Sequence, residues 1–304
     1  MQNVGSSGIG TNTGSLAVKV LREADFLTYG LAGILAGTLT ETILHPLTTV
    51  RTRIKANAKE FMTLKAQTKS LYQTEGLRSF YRGFSCTLFN GIFANWTHFY
   101  FYEKGKELLK REANMHHDMA PFFSAYVGGM LANIISIPCV VVRTRMQLEP
   151  GSYDYRNISD GFRKIVRREG FTKLYLGATI FLTLDAIDAS FTFGFYELLL
   201  KIFRPYFNLK EQDKHLGLIL ASSLTSALSA VISNPLDVIL TRTQMVDTSI
   251  HNKEKVFPLI RRIYREEGAM GFMKGLTGRI AHFAVYNMLL FPFYEHFKSV
   301  FELE

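Results

Sequence analysis

Long apolar stretches, nearly free of charge, alternate with basic stretches along the whole chain. Residues 26–50 hold one charge, Glu41, and residues 84–102 and 119–142 hold none. Residues 178–196 hold only Asp185 and Asp188, residues 215–236 none, and residues 276–294 only Arg279. Each stretch has about the twenty residues that a helix needs to cross a bilayer core. The pattern predicts an all-α membrane protein with six transmembrane helices. A soluble helical solenoid would carry charge along one face of each helix, and these stretches do not. The mean hydropathy is only +0.07 because the intervening segments are highly charged.

The six stretches fall into three repeats. A proline element reads HPLTTVRTR from His45, IPCVVVRTRMQ from Ile137 and NPLDVILTRTQ from Asn234. About thirty residues on comes a Glu-Gly pair: Glu75-Gly76, Glu169-Gly170 and Glu267-Gly268. A further glycine closes each unit, at Gly83, Gly177 and Gly275. Each repeat therefore reads as a helical hairpin with an internal loop. The boundaries expected are 23–112, 113–208 and 209–304, preceded by a flexible Gly/Ser/Thr-rich extension over 1–22. That extension has neither a secretory apolar core nor an Arg-rich amphipathic pattern, so targeting is assigned to the membrane domain. Pro46, Pro138 and Pro235 each remove a helix hydrogen bond and are expected to kink the first helix of their repeat. Small residues, among them Gly30, Gly33, Gly37, Gly128, Gly129, Ser229 and Ala230, let helices approach closely.

Charge orients the spans. The loops inside the repeats carry 8, 8 and 7 Lys and Arg against 2, 4 and 4 Asp and Glu, whereas the linkers between repeats are near neutral. Basic loops favour one side of the membrane, which puts both termini on the other. The net charge of +9 is thereby explained by loops at a lipid surface, without nucleic acid. Cys86 and Cys139 cannot form a disulfide framework and read as small buried residues. His116-His117 lack metal-ligand spacing. No catalytic or metal constellation stands out, so an enzyme is not expected. Asn157 opens an Asn-Ile-Ser sequon in a basic loop and reads as chance.

Together these elements resemble the mitochondrial carrier family. Its proline signature, its acidic-Gly and aromatic-basic-Gly segment and its even-helix ending each recur three times, the last as YEKGK from Tyr102, YELLL from Tyr196 and YEHFK from Tyr294. The resemblance covers all but the first twenty-odd residues. It implies three pseudo-threefold-related hairpins, each with a short matrix helix. It also implies an inner-membrane location with both termini toward the intermembrane space, and lipid partners that include cardiolipin.

The family has two gates. At the matrix gate this chain places Thr48, Val140 and Asp237 at the acid positions, and Arg51, Arg143 and Leu240 at the base positions. The resemblance pairs Asp237 with Arg51, sets Val140 against Leu240, and leaves Arg143 facing Thr48 without a carboxylate. Gln147 and Gln244 match the family's bracing glutamine, which Lys55 replaces in the first repeat. The outer gate would use Glu103, Glu197 and Glu295 with Lys106 and Lys298; Leu200 stands at the remaining base position. The substrate contact points fall on Asn90, Leu184-Asp185 and His282, without the arginines typical of anion carriers. Glu41, His98, Asp188 and Arg279 are expected to line the cavity, because an ionisable group in a span faces water or a partner. Asp185 and Asp188, three residues apart, are expected to share a helix face.

Two functions fit this pattern. One is a carrier of a small solute, zwitterionic or cationic rather than polyanionic, working by alternating access. The other is a carrier fold without transport that serves as an accessory subunit of a larger inner-membrane complex. Several of the aromatics Trp96, Phe99, Tyr100, Phe101, Tyr102, Phe191, Phe193 and Phe195 would then face a partner rather than lipid.

Overall fold

A computed structural model describes residues 10–58, 60–111, 119–148, 155–203, 211–245 and 256–302. Among them there are nine α-helices and no strand. Each repeat contributes two long helices and one short one: α1 (Gly10–Ala56), α2 (Leu64–Glu75) and α3 (Phe84–Arg111); α4 (Met119–Gln147), α5 (Ile158–Arg168) and α6 (Ala178–Phe203); α7 (Glu211–Gln244), α8 (Val256–Glu267) and α9 (Leu276–Glu302). A one-turn 3-10 segment follows each short helix, at Leu77–Tyr81, Phe171–Tyr175 and Ala269–Met273. Helix α1 begins at Gly10, so residues 10–22 are helical where the composition suggested a flexible extension. His116 and His117 lie outside the described residues.

The long helices pack into a closed ring in the order α1, α3, α4, α6, α7, α9 and back to α1. Helices α1, α4 and α7 run through Pro46, Pro138 and Pro235 and also touch one another. The residue before each proline is buried and anchors its helix to its own repeat. His45 bonds the Arg82 carbonyl and the Thr87 hydroxyl, each at 3.0 Å. Ile137 packs among Cys86, Val141, Val142, Ile165 and Leu174. The Asn234 amide donates to the Phe272 carbonyl at 2.8 Å. Both cysteines are buried and unpaired. Asn157, in the sequon, caps α5 by accepting from the Asp160 amide at 2.9 Å.

Small residues set the closest approach. A Cβ at Gly128 would lie 3.0 Å from the His98 carbonyl oxygen and 3.1 Å from the Tyr102 nitrogen. Backbone cannot give way as a side chain can, so α3 and α4 meet at this depth only with glycine there.

Outward faces are apolar all round: Leu31, Leu35 and Leu39 on α1, Phe89, Phe93, Trp96 and Tyr100 on α3, and Leu220, Leu224 and Leu228 on α7 are all exposed. Such stripes with no water-seeking groups are what acyl chains require. By composition alone, three stretches among the described residues are long and apolar enough to cross a membrane: Phe123–Gln147, Phe171–Thr192 and Leu220–Gln244. Helices α1, α3 and α9, also expected to span, are more polar. Their inward faces carry Thr38, Glu41, Asn90, Asn95, His98, Arg279 and Asn287, which lowers the average without touching the outer stripe.

Candidate functional site: a central cavity above an ionic closure

The C-terminal ends of α1, α4 and α7 present carbonyls that have no partner within their own helix. An arginine from another repeat caps each one. Arg53 Nε donates to the Gln147 carbonyl at 2.8 Å, Arg145 Nε to the Gln244 carbonyl at 3.0 Å, and Arg242 Nε to the Lys55 carbonyl at 3.0 Å. The links run from repeat one to two, two to three and three to one, and so close a cycle. The remaining guanidinium edge of each arginine grips a carboxylate in its own repeat. Arg53 Nη2 reaches Glu75 at 2.9 Å, Arg145 Nη2 reaches Glu169 at 3.0 Å and Arg242 Nη2 reaches Glu267 at 2.9 Å, each with a second contact through Nη1. All three arginines are buried. A buried guanidinium is tolerable only when its donors are satisfied this fully. Lys274 Nζ adds a contact to Glu267 at 2.6 Å. Burial pushes the Glu267 carboxyl up, but Arg242 and Lys274 outweigh it and hold it below the ordinary glutamate value.

This ring was not anticipated from the sequence, although its signal was present: both the last arginine of each proline element and the glutamate of each Glu-Gly pair recur three times.

Inside the ring lies an ion cluster around Asp237. Asp237 and Arg51 do meet, at 3.7 Å, but Arg51 is not the only partner. Lys55 Nζ is nearer, at 2.8 Å, and Arg279 Nη1 lies at 3.4 Å. Lys55, where the other repeats have glutamine, thus adds a cation to the pair. The two glutamines brace threonines: Gln147 accepts from Thr52 at 2.9 Å and donates to Thr49 at 3.2 Å, and Gln244 accepts from Thr144 at 2.9 Å. Thr48, Val140 and Leu240 are buried. The Thr48 hydroxyl donates to the His45 carbonyl at 2.7 Å.

A cavity of about 450 Å³ lies among the long helices, within the roughly 300–1,000 Å³ range of small-molecule sites. Glu41 of α1, Asn90, Asn95 and His98 of α3, Asn133, Val140 and Arg143 of α4, Asp185 of α6 and Tyr286 of α9 line it. The lining of α3 recurs at 87, 90/91, 94/95 and 98, opposite its outward stripe at 89, 92/93, 96 and 100, so one helix shows a wet face and a lipid face.

Not every expected site residue faces this space. Leu184 and His282 are buried and absent from the lining. His282 Nε2 stands 3.6 Å from Glu41, with its ring stacked on Tyr286. Asp185 and Asp188 do not share a task or a direction. Asp185 accepts from the Asn133 amide at 2.7 Å on the α4 side. Asp188 turns toward α7 and α9, where it accepts from Ser229 at 3.0 Å and Ser233 at 2.5 Å and pairs with Arg279. A helical turn advances direction as well as height, and a different neighbour takes each carboxylate. Arg279 is buried between Asp188 and Asp237 and does not line the cavity.

At the opposite end, Lys106 Nζ lies over the Tyr102 ring, 5.1 Å from its centroid. Glu295 is exposed and Lys298 half-buried. The side chains of Glu103, Tyr196, Glu197, Leu200, Phe99 and Phe193 lie outside the described residues. Among the described residues no cluster of three or more His, Cys, Asp or Glu could hold a metal. A separate apolar groove of about 620 Å³ runs along α8, lined by Phe257, Pro258, Ile260, Arg261, Tyr264 and Phe272.

Three helical hairpins around a polar, membrane-embedded cavity define a carrier-type membrane bundle. The family model for the mitochondrial carrier protein matches residues 22–113, 116–207 and 211–304, and the chain belongs to that family. A mitoferrin from Dictyostelium discoideum is 26% identical over 293 residues, covering 90% of this chain and 94% of the relative. The S-adenosylmethionine carrier 1 of Arabidopsis thaliana, chloroplastic/mitochondrial, is 30% identical over 271 residues, covering 88% and 77%. The mitochondrial nicotinamide adenine dinucleotide transporter 1 of Saccharomyces cerevisiae is 26% identical over 287 residues, covering 90% and 76%. The protein is thus a carrier-type transporter of mitochondrial kind, in a family whose members move small solutes through a membrane.

Proposed function

We propose that the protein carries a small zwitterionic or cationic solute across the mitochondrial inner membrane by alternating access. The observation that carries this reading is the cavity lining. Two carboxylates, Glu41 and Asp185, and three amides, Asn90, Asn95 and Asn133, face it, against a single arginine or lysine, Arg143. A polyanion would meet repulsion from both acids, whereas an ammonium or other cation would be drawn in. The named relatives lie on both sides of this question. S-adenosylmethionine carries an amine and a carboxylate, and nicotinamide adenine dinucleotide carries a pyrophosphate. The lining favours the first kind.

In this reading the Asp237 cluster and the arginine ring form the matrix gate, closed here. Glu103, Glu197 and Glu295 with Lys106 and Lys298 form the outer gate, and the basic loops place both termini in the intermembrane space. The loops and the aromatic-arginine groove on α8 suit an anionic lipid headgroup such as that of cardiolipin. The exposed apolar stripe on α1, α3 and α7 supports a lipid-facing role for the aromatics of α3. Reconstituted protein is expected to take up a zwitterionic or cationic solute and to leave ATP and citrate outside. Rapid exchange of either anion would overturn the proposal.

A further inference from the structure

We propose that Arg143 is the carboxylate-binding group of the cavity, and that the solute is of the amino-acid class, with its carboxylate on Arg143 and its amine toward Asp185 and Glu41. The inference rests on the transporter reading and deepens it.

The carboxylates at the closed end are already engaged. Glu75 is held by Arg53 and Arg82, Glu169 by Arg145, and Glu267 by Arg242 and Lys274. Asp237 is shared by Lys55, Arg51 and Arg279, and Asp188 is taken by Arg279. The position that would supply an acid to Arg143 is Thr48, whose hydroxyl is spent on the His45 carbonyl. No carboxylate among the described residues lies within ion-pair distance of Arg143, and its side chain is half-buried in the cavity wall.

Its stem is positioned nonetheless. The Arg143 Cγ and carbonyl oxygen would lie 3.3 and 3.4 Å from a Cβ at Gly83, so the chain there is packed close against a residue with φ of +75°. The result is a fixed cation in the cavity wall, with no carboxylate of the described residues in ion-pair contact. Such a group is costly to keep unless a ligand completes it, and a guanidinium fork matches a carboxylate in two parallel bonds. Asp185 is exposed to the same cavity and uses one oxygen for Asn133, which leaves its other oxygen to accept from an ammonium. Glu41 lines the wall as well. One cation and two acids around one small space complement a zwitterion.

The test uses the purified protein in detergent and follows its thermal unfolding. The probes are the protein amino acids and S-adenosylmethionine, each as the free acid and as the carboxamide. The expected result is that at least one free acid raises the unfolding temperature and its carboxamide does not. Arg143→Gln should weaken that response about 10- to 100-fold, Arg143→Lys should retain part of it, and Asp185→Asn should weaken it through the amine. A carboxamide that stabilises as well as the free acid, or an Arg143→Gln variant that binds unchanged, would overturn the inference. If Arg143→Gln does not fold, the comparison of acid and carboxamide on the unaltered protein decides. Uptake in proteoliposomes of an amine without a carboxylate, undiminished by Arg143→Gln, would overturn this inference and leave the transporter reading standing. No binding and no uptake of any probe would overturn both.

Discussion

Asp237 is the residue on which three cations converge, and it has no equivalent in the other repeats. With Lys55 at 2.8 Å, Arg279 at 3.4 Å and Arg51 at 3.7 Å, its replacement by Asn strands several buried positive charges together. Asp237→Asn is expected to cost about 3–5 kcal/mol, read as a lower unfolding temperature in detergent. Lys55→Gln, which restores the side chain of Gln147 and Gln244, should cost much less, because Arg51 and Arg279 remain. Equal effects from the two changes would mean that the closure does not depend on charge. Glu267 supplies a pH test. Its folded-state carboxyl titrates below the ordinary value of 4.5, so its contribution is fully present above that value and is lost as pH falls through the depressed one. Thermal stability should therefore drop on acidification below 4.5, and Glu267→Gln should flatten that limb while lowering stability at neutral pH.

The elements owe their ends to glycine and arginine rather than to the apolar runs. Gly275 opens α9 with φ of +77°, and a Cβ there would stand 3.0 Å from the Lys55 Cγ. Gly275→Ala is expected to cost about 1–3 kcal/mol through its backbone alone, again measured as a fall in unfolding temperature. This much was legible in the sequence, because Gly83, Gly177 and Gly275 recur in register and a repeated glycine needs a repeated geometry. The prolines and the two-helix hairpins were legible for the same reason. What repetition hides is contact between repeats. Lys55 occurs once, and only the arrival of α7 beside α1 reveals its aspartate. Asp185 and Asp188 look equivalent on α6 until α4 claims one and α7 with α9 the other. The helical start of α1 at Gly10 was missed because Gly, Ser and Thr discourage a helix without forbidding one.

At the scale of the whole molecule the three arginine caps act as one object. Each link holds two repeats, and opening one frees the ring. Arg145→Gln and Arg242→Gln are each expected to cost about 3–5 kcal/mol, while the double variant should cost clearly less than their sum. Strict additivity in thermal unfolding would show three independent caps instead. The cycle also has a consequence for how the chain is made. A ribosome delivers repeat one first, and the cap on its helix end comes from Arg242, 187 residues later in the chain. The end of α1 therefore lacks its cap until the third repeat is present. Assembly cannot be completed stepwise, and the last bond formed secures the first segment synthesised. A chain cut short after its second repeat would keep that end open, an unfinished ring rather than two-thirds of a finished protein.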